Sequence, residues 1–511
     1  MQWTATYVFV GLFVFVTILG FAAARWRAGD LNHINEWGLG GQRFGTMVTW
    51  FLLGGDLYTA YTFIAVPALV FTAGAMGFFA VPYTVLVYPL VFLIFPRMWS
   101  VARKHGFVTA SDFVKGRYGH HGLALAVAMT GIVATMPYIA LQLVGLETVI
   151  GALGFDTHGF AGHMPLVIAF VILAAFTYSS GLRAPAMIAV VKDLLIYITV
   201  IAAVVIIPAK LGGYAAIFSA VPTEKLTLAT PEAGSLGTWS AYATLAFGSA
   251  LALFLYPHSM TGVLSASSGK VIRRNAAILP AYSVVLALLS LLGYMAFASG
   301  VADKPEFAEG FAKYGPNFAV PALFLDQFQG WFAGVAFAAI GIGALVPAAI
   351  MSIAIANLFT RNIYKEYIRP DCSNADEARV AKIVSLVAKG GALFFVLALD
   401  TRLAIQLQLL GGIWIIQTLP AVFFGLYTRW LDPRALLIGW ALGIGTGTWM
   451  AWVLNFKGSI WPLEIFGYTV PGYAAFYTVI LNIVVSVVLT IAFNIVSKSK
   501  HTDVTTESDY A

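Results

Sequence analysis

Charge is what this chain has least of. Of its 511 residues only 10% are Asp, Glu, Lys or Arg, while 60% are hydrophobic. A soluble domain carries about 25% charged residues, so soluble domains of ordinary size are excluded. Cysteine occurs once, at Cys372, which excludes a disulfide framework. A phosphate-binding glycine loop, a metal-ligand cluster and a nucleophile–base–orienter trio are all missing. Nothing therefore points to an enzyme, a cofactor or a metal centre. The net charge of +6 is spread over short loops, where it reads as topology signal and lipid contact rather than as a nucleic-acid surface. Low-complexity sequence is confined to the polar tail after Lys498, expected to be a short disordered end.

What is present is a succession of long apolar runs. A helix needs about 20 apolar residues to span a bilayer, and runs of that kind lie near 4–24, 45–71, 77–98, 122–150, 165–180, 186–209, 238–258, 278–300, 330–359, 380–399, 403–427, 434–455 and 470–496. The expectation is an all-α polytopic membrane protein with thirteen spans, a single membrane domain over residues 1–511. The first run is too long, and Arg25 and Arg27 follow it too directly, for a cleaved signal peptide. With residues 25–44 in the cytoplasm, 21 of the 29 Lys and Arg fall on the inner side and six on the outer, leaving Lys192 and Lys389 within spans. The positive-inside rule then places the N-terminus outside and the C-terminus in the cytoplasm.

Two spans carry interruptions at matching places. Gly54-Gly55-Asp56 breaks the second, which Pro67 breaks again, and Tyr256-Pro257-His258 with Gly262 ends the seventh, five spans later. Paired breaks in two halves point to inverted repeats with a substrate site at the midplane, although glycine and proline are also common in membrane helices without a site. Repeat one would cover 45–209 and repeat two 238–427, leaving peripheral helices at 4–24 and 434–496 and a tail at 497–511. A carboxylate at membrane depth is costly and tends to mark an ion or proton path. Asp56 is such a carboxylate. It could equally cap the outer half-helix.

Several motifs resemble the sodium:solute symporters. These are Glu36-Trp37-Gly38-Leu39-Gly40-Gly41-Gln42-Arg43, Thr59-Ala60-Tyr61-Thr62-Phe63 with Pro67, Ala110-Ser111-Asp112-Phe113, Arg117-Tyr118-Gly119 and Gly181-Leu182-Arg183-Ala184. Others are Tyr256-Pro257-His258 followed by Lys270 and Arg273-Arg274, and Leu358-Phe359-Thr360-Arg361-Asn362-Ile363-Tyr364-Lys365. The resemblance covers about residues 36–430 and implies a LeuT-type 5+5 inverted-repeat core with discontinuous first and sixth core helices, preceded by one extra helix. The texture is most similar to the bacterial monocarboxylate permease branch. That implies a secondary transporter of lactate, pyruvate and acetate, in some cases alanine, in the bacterial inner membrane.

The chain departs from the pattern at one place. The resemblance implies a sodium site made by carbonyls of the first core helix and two adjacent hydroxyls on the eighth, and those hydroxyl positions fall on Val346 and Pro347. Neither offers an oxygen to a hard cation. On the fifth core helix stands Lys192-Asp193, where the family usually has a hydroxyl before the aspartate. An ammonium can occupy the space of a bound cation. The other reading has Lys192 snorkelling and merely pairing with Asp193; against it, residues adjacent on a helix point about 100° apart, which makes neighbours poor partners, and Lys192 stands about six residues inside its span.

Asp56, Lys192 and Asp193 are thus proton-coupling candidates, with sodium coupling the alternative. Gly54, Gly55, Tyr58 and Thr59 at the break, Thr135, Tyr138 and Gln142 on the third core helix, Tyr256 on the sixth, and Trp414 and Gln417 on the tenth are candidate substrate residues for a small anion. Such aromatics also sit at interfaces or pack between helices. Glu147 reads as a vestibule residue and His258 as the cap of a helix C-terminus. A non-transporting sensor is the third reading, but the stretch after the last span is too short for a signalling domain.

Overall fold

The computed structural model describes residues 2–26, 29–55, 58–155, 162–398, 404–496 and 502–511. Its helices follow the apolar runs. The first, α1 (Trp3–Ala22), leads through the short α2 (Ile34–Leu39) to α3 (Thr46–Gly55). After α3 the chain resumes at Tyr58, makes a π-helical turn over Tyr61–Ala65 and continues as α4 (Val66–Ala73). Pro67 sits in the first turn of α4, where a missing N–H costs little. It marks the change from the π-turn to the α-helix within this half-helix.

Then come α5 (Ala80–His105), α6 (Ala110–Tyr118), α7 (His121–Ala152), α8 (Met164–Ser180) and α9 (Arg183–Lys210). The second half opens with α10 (Gly237–Leu253) and α11 (Pro257–Leu264), which meet at a 50° bend. Pro257 supplies it, since it cannot donate to α10 yet suits the first turn of α11. There follow α12 (Gly269–Ile278), α13 (Pro280–Ala298), α14 (Gly330–Phe359), α15 (Asn374–Ala398), α16 (Ala404–Ile415), α17 (Pro433–Val453) and α18 (Ala474–Val496).

Among the described residues nine helices are long and apolar enough to cross a membrane, ten if the bent α10–α11 pair is one span. Thr46–Gly55 and Met164–Ser180 are apolar but shorter, so length and apolarity alone do not reach thirteen. The last run is also corrected. Its first residues belong to an antiparallel hairpin, β1 (Ile460–Ile465) and β2 (Tyr468–Tyr473), and α18 starts at Ala474. The hairpin turns through Phe466 and Gly467, both at positive φ, the geometry of a tight two-residue loop.

The helices sort into two packing groups. The broken first helix, α5, α12 and α13 pack on one another, and α7, α14 and α15 form a second group. Small residues allow the close approaches between membrane helices. A β-carbon on Gly145 of α7 would collide with the Ala60 methyl, and one on Gly131 of α7 would meet Pro257 and Leu358. Both breaks thus lie against α7.

The tail is not a disordered end where it is described. Tyr510 is buried, the Val504 amide donates to the Gly116 carbonyl at 2.9 Å, and Thr506 and Asp509 form a capping box.

Candidate functional site

The first break is built around an ammonium group. Lys192, in the middle of α9 and fully buried, donates from Nζ to the Gly55 carbonyl at 2.6 Å and to the Tyr58 carbonyl at 3.1 Å. Its third contact is the Asp193 carboxylate, 3.0 Å away and also fully buried. Two of the ammonium's three donors are used on carbonyls, and the carboxylate adds an ion pair. One expectation is corrected here: Asp193, its neighbour in sequence, is a partner of Lys192 after all. The angle between adjacent positions is bridged by the four-carbon stem and by the shared direction of both side chains toward the break.

Tyr282 of α13 closes the group from the other side. Its hydroxyl donates to the second Asp193 oxygen at 2.8 Å, and its backbone carbonyl accepts the Tyr58 hydroxyl. The Tyr282 ring packs on Tyr58 and Trp50, with centroids at 4.7 and 4.9 Å, and on Tyr197 at 5.9 Å. Gly54 and Gly55 are needed for this closeness, because a β-carbon on Gly54 would lie 2.7 Å from the Tyr282 ring and one on Gly55 2.8 Å from the Lys192 ammonium. The glycine pair is therefore covered by Tyr282 and Lys192. Asp56, next in the chain, lies outside the described residues.

Across the break stands α14. A β-carbon at Gly343 would be 3.8 Å from the Tyr58 carbonyl oxygen. One turn on, Val346 and Pro347 are buried and bring no side-chain oxygen to that face. On the opposite face, about 180° round from Gly343 at 100° per residue, Ser352 receives a hydrogen bond from Ser385 at 3.2 Å. Ser385 in turn is held by the second buried lysine, Lys389, at 2.8 Å.

The remaining candidates divide into four. Thr59 and Gln142 serve the broken backbone. The Thr59 hydroxyl accepts from the Tyr61 amide at 3.0 Å, and Gln142 Oε1 accepts from the Ala60 amide at 3.1 Å. Tyr138 and Tyr256 meet at the second break, with ring centroids 5.3 Å apart, and His258 packs 5.3 Å from each. His258 is in the first turn of α11 and 1% exposed, so it does not cap a helix C-terminus as the sequence suggested. Thr135 lies along α7 and donates to the Gly131 carbonyl at 2.6 Å.

Trp414 and Gln417 do not join this centre. Trp414 Nε1 donates to Thr448 of α17 at 3.1 Å, and Gln417 Nε2 donates to Thr478 of α18 at 2.9 Å, so both face the peripheral helices. Glu147 is buried in α7, with an oxygen 3.7 Å from His163 Nδ1. A 570 Å³ cavity lined by Gly151, Glu306, Lys313 and Asp326 lies near that end of α7. Sequence reasoning missed Tyr282, Tyr197 and the placement of His258. The one available signal was that Asp193, buried beside an already engaged lysine, required a further donor.

The motifs read from the sequence also come together. Glu36 pairs with Arg43 at 2.5 Å and with Arg183, while Asp112 accepts from Asn362 at 2.7 Å and from Arg361 at 3.4 Å. The model of the sodium:solute symporter family matches residues 37–443. The chain belongs to the sodium:solute symporter family. Its similarity to a monocarboxylate transport permease protein of Rhizobium johnstonii is 55% identity over 95% of this chain and 96% of that one. An uncharacterised symporter of Bacillus subtilis is 33% identical over 87% of each chain. The fold is similar to that of a Na+-coupled sialic acid symporter solved in a substrate-bound outward-open state, with a TM-score of 0.73 at 17% identity over 98% of this chain and 99% of that one. The protein is accordingly a multi-pass membrane transporter of a small solute with the symporter family's fold.

Proposed function

We propose that the protein imports short monocarboxylates, lactate, pyruvate and acetate among them, together with a proton, by alternating access across a bacterial inner membrane. The observation that carries this reading is the Lys192 ammonium seated on the Gly55 and Tyr58 carbonyls. A tethered cation occupies the broken helix where Val346 and Pro347 offer no oxygen. The name of the Rhizobium relative supports the substrate class. In this reading residues 45–209 and 238–427 are inverted repeats within thirteen spans, the N-terminus is outside and the C-terminus is in the cytoplasm.

Asp56 follows Gly55 directly and is the titrating partner. A carboxylate and an ammonium whose separation changes with conformation bind and release one proton per cycle. Asp193 and Tyr282 keep the ammonium fixed. The substrate's place is where the two breaks face α7, among Tyr138, Tyr256, His258 and the Gln142 that holds the Ala60 amide, a buried aromatic cluster with few charges. Sodium coupling is the second reading, favoured by the family's name and by the sodium-coupled structural neighbour.

Reconstituted protein in sodium-free liposomes, given a pH gradient acid outside, should accumulate labelled lactate, up to about tenfold per pH unit for one proton per anion, since about 1.4 kcal/mol is a factor of ten. Accumulation that needs sodium would establish the second reading instead. Asp56→Asn should lose pH-driven accumulation and keep lactate counterflow. Full pH-driven uptake by that variant would remove Asp56 from the mechanism.

A further inference from the structure

The described tail, residues 502–511, touches three separate parts of one face of the molecule. Asp509 pairs with Lys104, and with His105 at 2.7 Å, at the last turn of α5. Its carboxyl is held well below the usual range by Lys104, the Thr506 amide and His105, so it stays ionised across physiological pH. Asp503 pairs with Arg117 of α6 and lies 3.9 Å from Arg429 in the segment before α17. Arg117 also donates to the Gly425 carbonyl at 2.9 Å and to that of Thr428. Between these ionic contacts the Tyr510 ring packs edge-on against Phe113 of α6, 6.4 Å between centroids, and lies under the Arg97 guanidinium of α5 at 5.5 Å.

These contacts cross the seam between the two packing groups. The helix α5 belongs with the broken first helix. By contrast, α6 is tied to the segment after α14, through Asp112 on Asn362 and Arg361 and through Lys115 on Glu366 at 2.5 Å. The other end of α6 borders a small void. Its N-cap Thr109 lines a cavity of about 20 Å³ together with Pro257 of the second break, Thr261 and Thr418.

We propose that residues 502–511 are an intramolecular clasp. By joining α5 to α6 through Asp509 and Asp503, the tail holds the void at Thr109 closed, and the two aspartates let go when it widens into a passage. The proposal rests on alternating access, which the family's transport implies, and not on which acid or ion is carried.

The test uses the full-length purified protein with Cys372→Ser and a reporter cysteine at Thr418→Cys, or at Met260→Cys in the same cavity, and measures the rate of maleimide labelling. Asp503→Asn combined with Asp509→Asn should raise that rate roughly threefold or more, a modest shift in keeping with ion pairs near the surface. A protein ending at residue 501 should behave the same way. Glu507→Gln, an exposed change in the same tail, should leave the rate as it was. A lowered melting temperature with an unchanged labelling rate, in both the double variant and the shortened protein, would make the tail a stabilising appendage and overturn the clasp. Slower labelling would overturn it equally.

Discussion

At the scale of single residues, Lys192 and Asp193 are the pair on which the centre depends. Removing one partner of a fully buried ion pair leaves an uncompensated charge, at a cost of about 3–5 kcal/mol. Lys192→Met would strand the Asp193 carboxylate and the Gly55 and Tyr58 carbonyls together. That variant should melt at a markedly lower temperature and lose lactate transport by more than about tenfold, the equivalent of about 1.4 kcal/mol. Added sodium should not rescue it, because Val346 and Pro347 contribute no ligands. Wild-type kinetics for Lys192→Met, or recovery in sodium, would show that the ammonium is not the working cation.

Among secondary-structure elements α7 stands out, because both interruptions rest on it. Gly145 admits Ala60 at the first break and Gly131 admits Pro257 at the second. The fourteen residue steps between them span about 21 Å at 1.5 Å each. Gly145→Val would push the first break off α7 and disturb the Gln142 bond to the Ala60 amide. Overpacking of this kind costs about 1–3 kcal/mol, so the variant should still assemble in the membrane while its uptake falls by at least about tenfold at equal expression, measured in the same vesicles. Full uptake would mean that the broken helix is not positioned by this contact.

The breaks themselves were legible in the sequence, because glycine pairs and prolines leave a local mark whatever surrounds them. The face each helix presents was not. A helix apolar all round gives no periodic signal of orientation, which is why Trp414 and Gln417 were assigned to the centre although they bond to Thr448 and Thr478. The pairing of Lys192 with Asp193 was missed for a related reason. Helical angles describe where β-carbons point, not where a long stem ends once a carbonyl pair attracts it.

For the molecule as a whole, binding to the folded state stabilises it by mass action, about 2.7 kcal/mol at a ligand concentration of a hundred times Kd. In sodium-free buffer, short monocarboxylates should therefore raise the melting temperature, with sugars and sodium chloride producing no shift. Stabilisation by sodium alone would count against a tethered cation. The tail shows what composition could not foretell at this scale. Its polar residues suggested disorder, yet their partners, Lys104, His105 and Arg117, lie some four hundred residues earlier in the chain.

The seat of Lys192 also sets how the transporter meets the electric field. An alkali ion that crosses gains about 2.3 kcal/mol for each 100 mV of membrane potential, and it leaves its host less charged for the return leg. An ammonium on a covalent stem cannot cross, so it harvests nothing from the voltage. On the proposed entry of one anion with one proton, net current is zero, and lactate uptake should persist undiminished when valinomycin and potassium clamp the potential to zero.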